Sequence, residues 1–365
     1  MNPTQRLHAL GQSLWLDNIS RRILDDGMLQ RYIDECSVTG LTSNPTIFDE
    51  AIGAGDTYDA SIRDKAIAGQ SGEALFVELA LEDLRRAADI FKPIFDATGR
   101  VDGWVSMELS PLLAGDTAGS VDSAAQIYRQ AGRENLFVKI PGTPAGIPAI
   151  EESIFAGVPV NVTLLFSREQ YLAAAEAYLR GIERRLAAGL DARVGSVASV
   201  FVSRWDRAVG DKVPAHLQNK LGIAIAGRTY RAYRELLASP RWRRLEAAGA
   251  QPQRLLWGST GTKDPALSPT LYVEALAAPD TINTMPEKTL RAFAERGRAP
   301  IVLADDGGDA ESLLQQFAQA RVDVDQLAVQ LQDEGARAFV KSWTSLMQRI
   351  ADKSEMLADS AAGSR

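Results

Sequence analysis

Lys139 stands in an apolar run, Leu136, Phe137, Val138, Lys139, Ile140, which Pro141 and Gly142 bring to an end. Such a run reads as a buried strand, and lysine is almost never fully buried without a partner. On an edge strand the ammonium points to water and discourages aggregation. In a core strand it reads as a nucleophile, because leaving water disfavours the charged form of an amine. Carboxylates, an amide and a hydroxyl interrupt other apolar runs: Asp17, Glu108, and the pair Asn161 and Thr163. The chain has only two histidines, His8 and His216, with no ligand partner at helical spacing, and one cysteine, Cys36. That disfavours Ser-His-Asp chemistry, histidine bases and the common zinc sites, and no metal is expected. Catalysis must then rest on lysine, carboxylates and hydroxyls.

Something has to bring these residues together. Short β-rich runs lie at 13–19, 37–45, 103–109, 135–142, 158–167, 195–203, 254–260 and 280–286. Amphipathic helical patterns separate them, with apolar residues at spacings of three and four. The clearest are 20–35, 72–98, 167–189 and 218–239. Ser167 and Pro286 fit helix starts. Alternating strands and helices imply a parallel sheet covered by helices. Eight units in roughly 290 residues fit a closed (β/α)8 barrel over 1–298, near the ~250-residue norm. An open doubly wound sheet would usually carry a glycine-rich phosphate loop after an early strand, and none is present. Residues 299–365 read as a helical extension packed on the barrel, ending in a small, polar tail.

In such a barrel the active site lies at the C-terminal ends of the strands. The polar residues there are Asp17; Thr42, Ser43 and Asn44; Glu108; Lys139; Asn161 and Thr163; Ser199, Ser203 and Arg204; Ser259 and Thr260, with Lys263 beyond; and Asn283. Asn161 and Thr163, two apart, face one side of their strand, with Val162 and Leu164 on the other. Each has a plainer reading. Asp17 could cap the helix near Ser20, Asn44 could form a turn with Pro45, and Glu108 could pair with an arginine. Asn161 and Thr163 could satisfy each other, Arg204 could make a surface ion pair, and Ser259 could belong to an ordinary loop. An edge strand explains Lys139 alone, and only the joint arrangement favours a site.

The segments TGLTSNPTIF, VSMELSPLLAGDT, LFVKIPGTPAGIPAIEE, VPVNVTLLFS, RLLWGSTGTKDP and DTINTMPEKTL resemble the transaldolases, in order and at similar spacing. The likeness covers roughly residues 13–300 and extends more weakly into the C-terminal helices; the length and STGTKDP resemble the longer bacterial branch. The resemblance implies a class I aldolase-type barrel without metal or organic cofactor. It implies transfer of a dihydroxyacetone unit from sedoheptulose 7-phosphate to glyceraldehyde 3-phosphate, giving erythrose 4-phosphate and fructose 6-phosphate in the non-oxidative pentose phosphate pathway. By position, Lys139 matches the Schiff-base lysine and Asp17 the general acid/base. Glu108 and Thr163 match the pair that holds a catalytic water. Asn44, Asn161 and Ser199 match groups that bind the dihydroxyacetone hydroxyls, and Arg204 a phosphate-binding arginine. Shorter members carry a second arginine in the loop after strand seven. Here that loop holds Ser259 and Lys263, so Lys263 or backbone amides must serve.

This chemistry needs an amine because cleavage beside a carbonyl leaves a carbanion, and a protonated imine accepts those electrons. The competing reading is a fructose-6-phosphate aldolase that forms the same imine and releases free dihydroxyacetone. Glu108 where those enzymes have Gln, Phe201 where they have Tyr, and the greater length favour transfer. A non-catalytic barrel would have little reason to keep Lys139, Asp17 and Glu108. The net charge of −7 comes from 40 basic and 47 acidic residues without a basic run, so nucleic acid is not an expected partner. The first residues lack a signal-peptide pattern, and no apolar run reaches the ~18 residues of a membrane helix. A cytoplasmic enzyme of sugar phosphates, monomer or homodimer, is expected.

Overall fold

The eight apolar runs become β1 (Ser13–Asp17), β2 (Val38–Thr42), β3 (Val105–Glu108), β4 (Leu136–Pro141), β5 (Val160–Leu165), β6 (Ser196–Phe201), β7 (Arg254–Gly258) and β8 (Ile282–Met285). Each lies inside its expected run. In this computed structural model, which describes residues 1–262, 264–298 and 302–362, the strands pair in parallel and in chain order, and β1 closes on β8. The fold is a (β/α)8 barrel. Among the described residues no helix is long and apolar enough to cross a membrane.

The two-residue period of a strand sorts its side chains between helices and barrel axis. On β4, Val138 and Ile140 join the large apolar layer under the helices. Phe137 belongs instead to an inner cluster with Trp15, Val197, Leu256 and Ile282, one from each of five strands. Two residues further along those strands come Lys139, Asp17, Ser199, Gly258 and Thr284, all lining one cleft. The barrel thus has an aromatic and aliphatic floor, with a polar layer above it at the strand ends. Gly40 on β2 makes room for that floor, since a Cβ there would lie 2.5 Å from the Trp15 ring.

The period fails at one place. Leu164 has φ +58°, and the β5–β6 register shifts between Val162 and Leu165. Leu164 therefore leaves the layer that holds Val162 and packs with Phe166, Trp205 and Leu331. The expectation that Val162 and Leu164 share a face is corrected by this bend.

The helical pattern at 20–35 is two helices, Arg21–Asp25 and Met28–Cys36, because Gly27 adopts φ +70° between them. Ser167 caps Arg168–Ala187 reciprocally with Gln170. The C-terminal segment forms Ala310–Gln319 and one long helix, Val324–Ala362. Trp343, Leu346 and Ile350 of that long helix enter the main core. Its Gln332, buried, donates from Nε2 to the carbonyls of Gly142 (3.0 Å) and Leu164 (2.9 Å), just past β4 and near the end of β5. Replacing Gln332 by Leu removes this donor from both carbonyls. The expected loss is about 2 kcal/mol of unfolding free energy, measured by urea titration, at about 1 kcal/mol per bond.

Candidate active site

The register explains how the charged groups meet. Glu108 on β3 lies opposite Lys139 on β4, which lies opposite Asn161 on β5; Pro141 lies opposite Thr163. Lys139 is 7% exposed. Its Nζ donates to the Ser43 carbonyl at 2.8 Å and lies 3.5 Å from Glu108 Oε2. The edge-strand reading is excluded, because β4 pairs on both sides in the closed barrel. Glu108 pairs with this lysine and not with an arginine.

A cleft of ≈ 940 Å³ opens at the strand ends, lined by Asp17, Asn44, Lys139, Ser199, Arg204 and Ser259 among others. Asp17 accepts from Thr42 Oγ1 at 2.7 Å; Ser20, and not Asp17, caps the next helix. Burial raises the Asp17 pKa, opposed by the positive charge of Lys139 and by the Thr42 bond. Burial likewise raises that of Glu108, opposed by Lys139 and reinforced by the negative charge of Asp17. Lys139 thus bears on two carboxyls that burial drives toward the neutral form.

Asn44 does what its turn reading requires: its side chain caps the helix Pro45–Gly53 by accepting from the Ile47 N–H at 3.1 Å. It also lines the cleft, so its amide nitrogen is the part available there. Asn161 does not pair with Thr163. Its Nδ2 donates to Ser106 Oγ at 3.1 Å, and its Oδ1 accepts from Ser199 Oγ at 2.7 Å. Thr163 Oγ1 is buried with no protein partner among the described residues. None of Asn161, Thr163 and Glu108 is on the wall of the open cleft; Glu108 lines a smaller pocket shared with Lys139.

Arg204 is half-buried, 5.0 Å over the Phe201 ring, and makes no ion pair among the described residues. Burial and the charge of Arg207 lower its pKa, with Glu334 opposing. An arginine stays charged through such a shift. Its guanidinium is a planar fork of the shape that suits carboxylate and phosphate groups. Ser259, at φ +55°, meets Ser203 Oγ at 2.9 Å beside it. Lys263 lies outside the described residues.

On β8 the cleft is lined by Thr284, and Asn283 is buried, accepting from Thr260 at 3.0 Å. The sequence reading chose the wrong parity there. It also missed Ser106, although that residue lies two before Glu108 and the strand period would have found it. The Ser43 carbonyl and Phe339, from the long C-terminal helix, left no local signal. Among the described residues no group of three or more His, Cys, Asp or Glu side chains is placed to hold a metal.

The transaldolase/fructose-6-phosphate aldolase family model matches residues 14–350. A transaldolase of Parafrankia sp. (strain EAN1pec) is 44% identical over 361 residues, covering 96% of this chain and 98% of the relative. Transaldolase 2 of Nostoc punctiforme is 39% identical, covering 98% of each. A transaldolase of Thiobacillus denitrificans is 42% identical, covering 96% of this chain and all of the relative. With a closed barrel, a lysine buried at the end of its fourth strand and these full-length matches, the chain belongs to the transaldolase/fructose-6-phosphate aldolase family.

Proposed function

We propose that this protein is a transaldolase that carries a dihydroxyacetone unit on Lys139, from sedoheptulose 7-phosphate to glyceraldehyde 3-phosphate. The observation that carries the reading is Lys139 itself: a buried amine at the mouth of the barrel, flanked by two carboxyls whose burial favours their neutral forms. The amine adds to the ketose C2 carbonyl. The resulting carbinolamine loses water as Glu108 delivers a proton through a water held by Thr163, whose hydroxyl has no protein partner among the described residues. Asp17, ionised, takes the C4 hydroxyl proton while the C3–C4 bond breaks and its electrons flow to the iminium nitrogen. An enamine and a free aldose phosphate result. The acceptor aldehyde then takes the enamine carbon, Asp17 returns the proton, and hydrolysis frees Lys139.

Asn44 through its amide nitrogen, and Asn161 with Ser199 as one linked pair, hold the hydroxyls of the three-carbon unit. Arg204 and Ser259 hold the phosphate, remote from the reacting bond, so its binding energy orients the reacting end. Residues 299–365 act as an extension of the 1–298 barrel, and the setting is the cytoplasm, as monomer or homodimer.

Borohydride reduction in the presence of fructose 6-phosphate and no acceptor tests the reading. A three-carbon adduct on Lys139, found by intact mass and peptide mapping, is expected. A folded protein that forms no adduct sinks it. Release of dihydroxyacetone at the full turnover rate would instead favour the aldolase alternative. Arg204→Ala should lower kcat/KM for fructose 6-phosphate by roughly 10–100-fold, the worth of one charged hydrogen-bonding contact. The same variant should leave unphosphorylated fructose nearly unaffected.

A further inference from the structure

Beside Lys139 lies a second, much smaller space. It offers ≈ 10 Å³ to the centre of a water molecule and is lined by Glu108, Ser110, Lys139, Leu164, Ala336 and Phe339 among others. That is room for about one water. Its walls are unlike. Glu108 and Lys139 supply charge, while Ala336 and Phe339 come from the long C-terminal helix and roof it. Phe339 also lines the open cleft, so one aromatic ring borders both spaces.

Ser110 is the unexplained wall. It is 5% exposed, and its Oγ has no protein partner among the described residues. Ser110 heads the short turn Pro111–Leu113, where a serine usually accepts a backbone N–H, yet its side chain makes no cap bond. A buried hydroxyl left without a partner is unfavourable, and native folds rarely keep one unless water or function satisfies it. A second buried hydroxyl without a partner among the described residues, Thr163, immediately precedes the wall residue Leu164 in sequence.

We propose that this space takes one water, and that Ser110 is a further positioning residue, beside Thr163, for the water through which Glu108 reaches the carbinolamine. The inference rests on the Schiff-base reading of Lys139. The water accepts the proton of the Glu108 carboxyl and passes one of its own to the carbinolamine oxygen. The C–O bond breaks and that oxygen leaves as water. The nitrogen lone pair forms the iminium, and Glu108 remains as carboxylate. Ser110 exchanges no proton; its hydroxyl fixes the direction in which that water donates.

Rapid-quench borohydride trapping on Ser110→Ala separates the steps. Imine formation should slow on the order of 10-fold, less than the ~10²–10⁴ that loss of a proton-transfer group itself costs. The later C3–C4 cleavage rate and the melting temperature should match wild type. Ser110→Cys, of similar volume but a weak donor, should fall between. If wild type traps normally and both variants form the imine at its rate, this inference is overturned and the Schiff-base reading stands. Equal slowing of both steps, or a lowered melting temperature, would also overturn it, since that is the signature of a structural residue. No adduct in wild type would instead overturn the Schiff-base reading beneath it.

Discussion

Lys139→Met is expected to leave a folded barrel whose transfer activity is lower by about 10⁴–10⁶-fold, the scale on which enzymes lose rate with their covalent nucleophile. No borohydride-reducible adduct should form. Without the amine there is no imine, and the carbanion of C–C cleavage has no electron sink. The fold should survive. The methionine is close in size, and it sits directly above the apolar floor that Phe137 joins. What it leaves behind is the Ser43 carbonyl without its donor and Glu108 without its cation. Lys139 holds the Glu108 pKa down against burial. Its removal therefore lets Glu108 take up a proton, which relieves the stranded charge. Lys139→Arg separates nucleophile from charge. A guanidinium keeps the cation beside Glu108 but cannot deprotonate to attack. It should be as inactive as the methionine variant. A coupled assay with melting curves decides the matter. Retention of more than about 1% of activity in either folded variant would rule out imine catalysis at Lys139, since that is far above the ~10⁴-fold loss expected.

The parts of this molecule that were legible in the sequence are those with a short period. Lys139 and Phe137 share a face because a strand repeats every two residues. The same rule ties Asp17 to Trp15 and Thr284 to Ile282. Where the backbone departs from that period, reading fails. Leu164 turns away at φ +58°, and nothing in the letters VNVTLL announces a left-handed residue. On β8 both Asn283 and Thr284 are polar, so composition could not choose between them, and only the register with Ile282 on the floor does. Gly27 was readable as a helix break, since glycine reaches positive φ without cost, but the amphipathic pattern on either side hid it. The contribution of the C-terminal helix had no local trace at all. Gln332 and Phe339 look like any residues of an amphipathic helix. Their roles come from where roughly 190 and 200 intervening residues bring them, beside Gly142 and Lys139. Long-range placement of this kind is decided by packing, and packing is not written in periodicity.

Asp17→Asn should separate chemistry from stability in opposite directions. Activity should fall by about 10²–10⁴-fold, the usual worth of a general base. The imine should still form, because Lys139 and Glu108 are untouched. With fructose 6-phosphate, borohydride should therefore trap the whole six-carbon chain on Lys139 instead of a three-carbon unit. A three-carbon adduct at the wild-type rate would show that another group takes the C4 proton. Stability should rise at neutral pH. Asparagine keeps an oxygen to accept from Thr42 and removes a carboxylate that burial disfavours. Because burial raises the folded pKa of Asp17, the native state holds that proton more tightly than the unfolded chain does. Below the unfolded value, about 3.9, the residue is neutral in both states and the variant gains nothing. As pH rises from there through the folded value, the unfolded chain ionises first and wild type loses stability relative to the variant. Above the folded value the difference is constant. Melting curves of the two proteins should thus converge near pH 3.5 and separate by a few degrees at pH 7, about 1 kcal/mol moving the midpoint by roughly 2 °C in a chain of this size. The same raised pKa puts the acid limb of wild-type turnover above the ordinary carboxylate range, since only ionised Asp17 can accept the C4 proton. A variant less stable than wild type at pH 7, or a stability gap that widens toward acid, would mean that Asp17 is held by its partners more strongly than burial opposes it, and the raised pKa argued for it would fall.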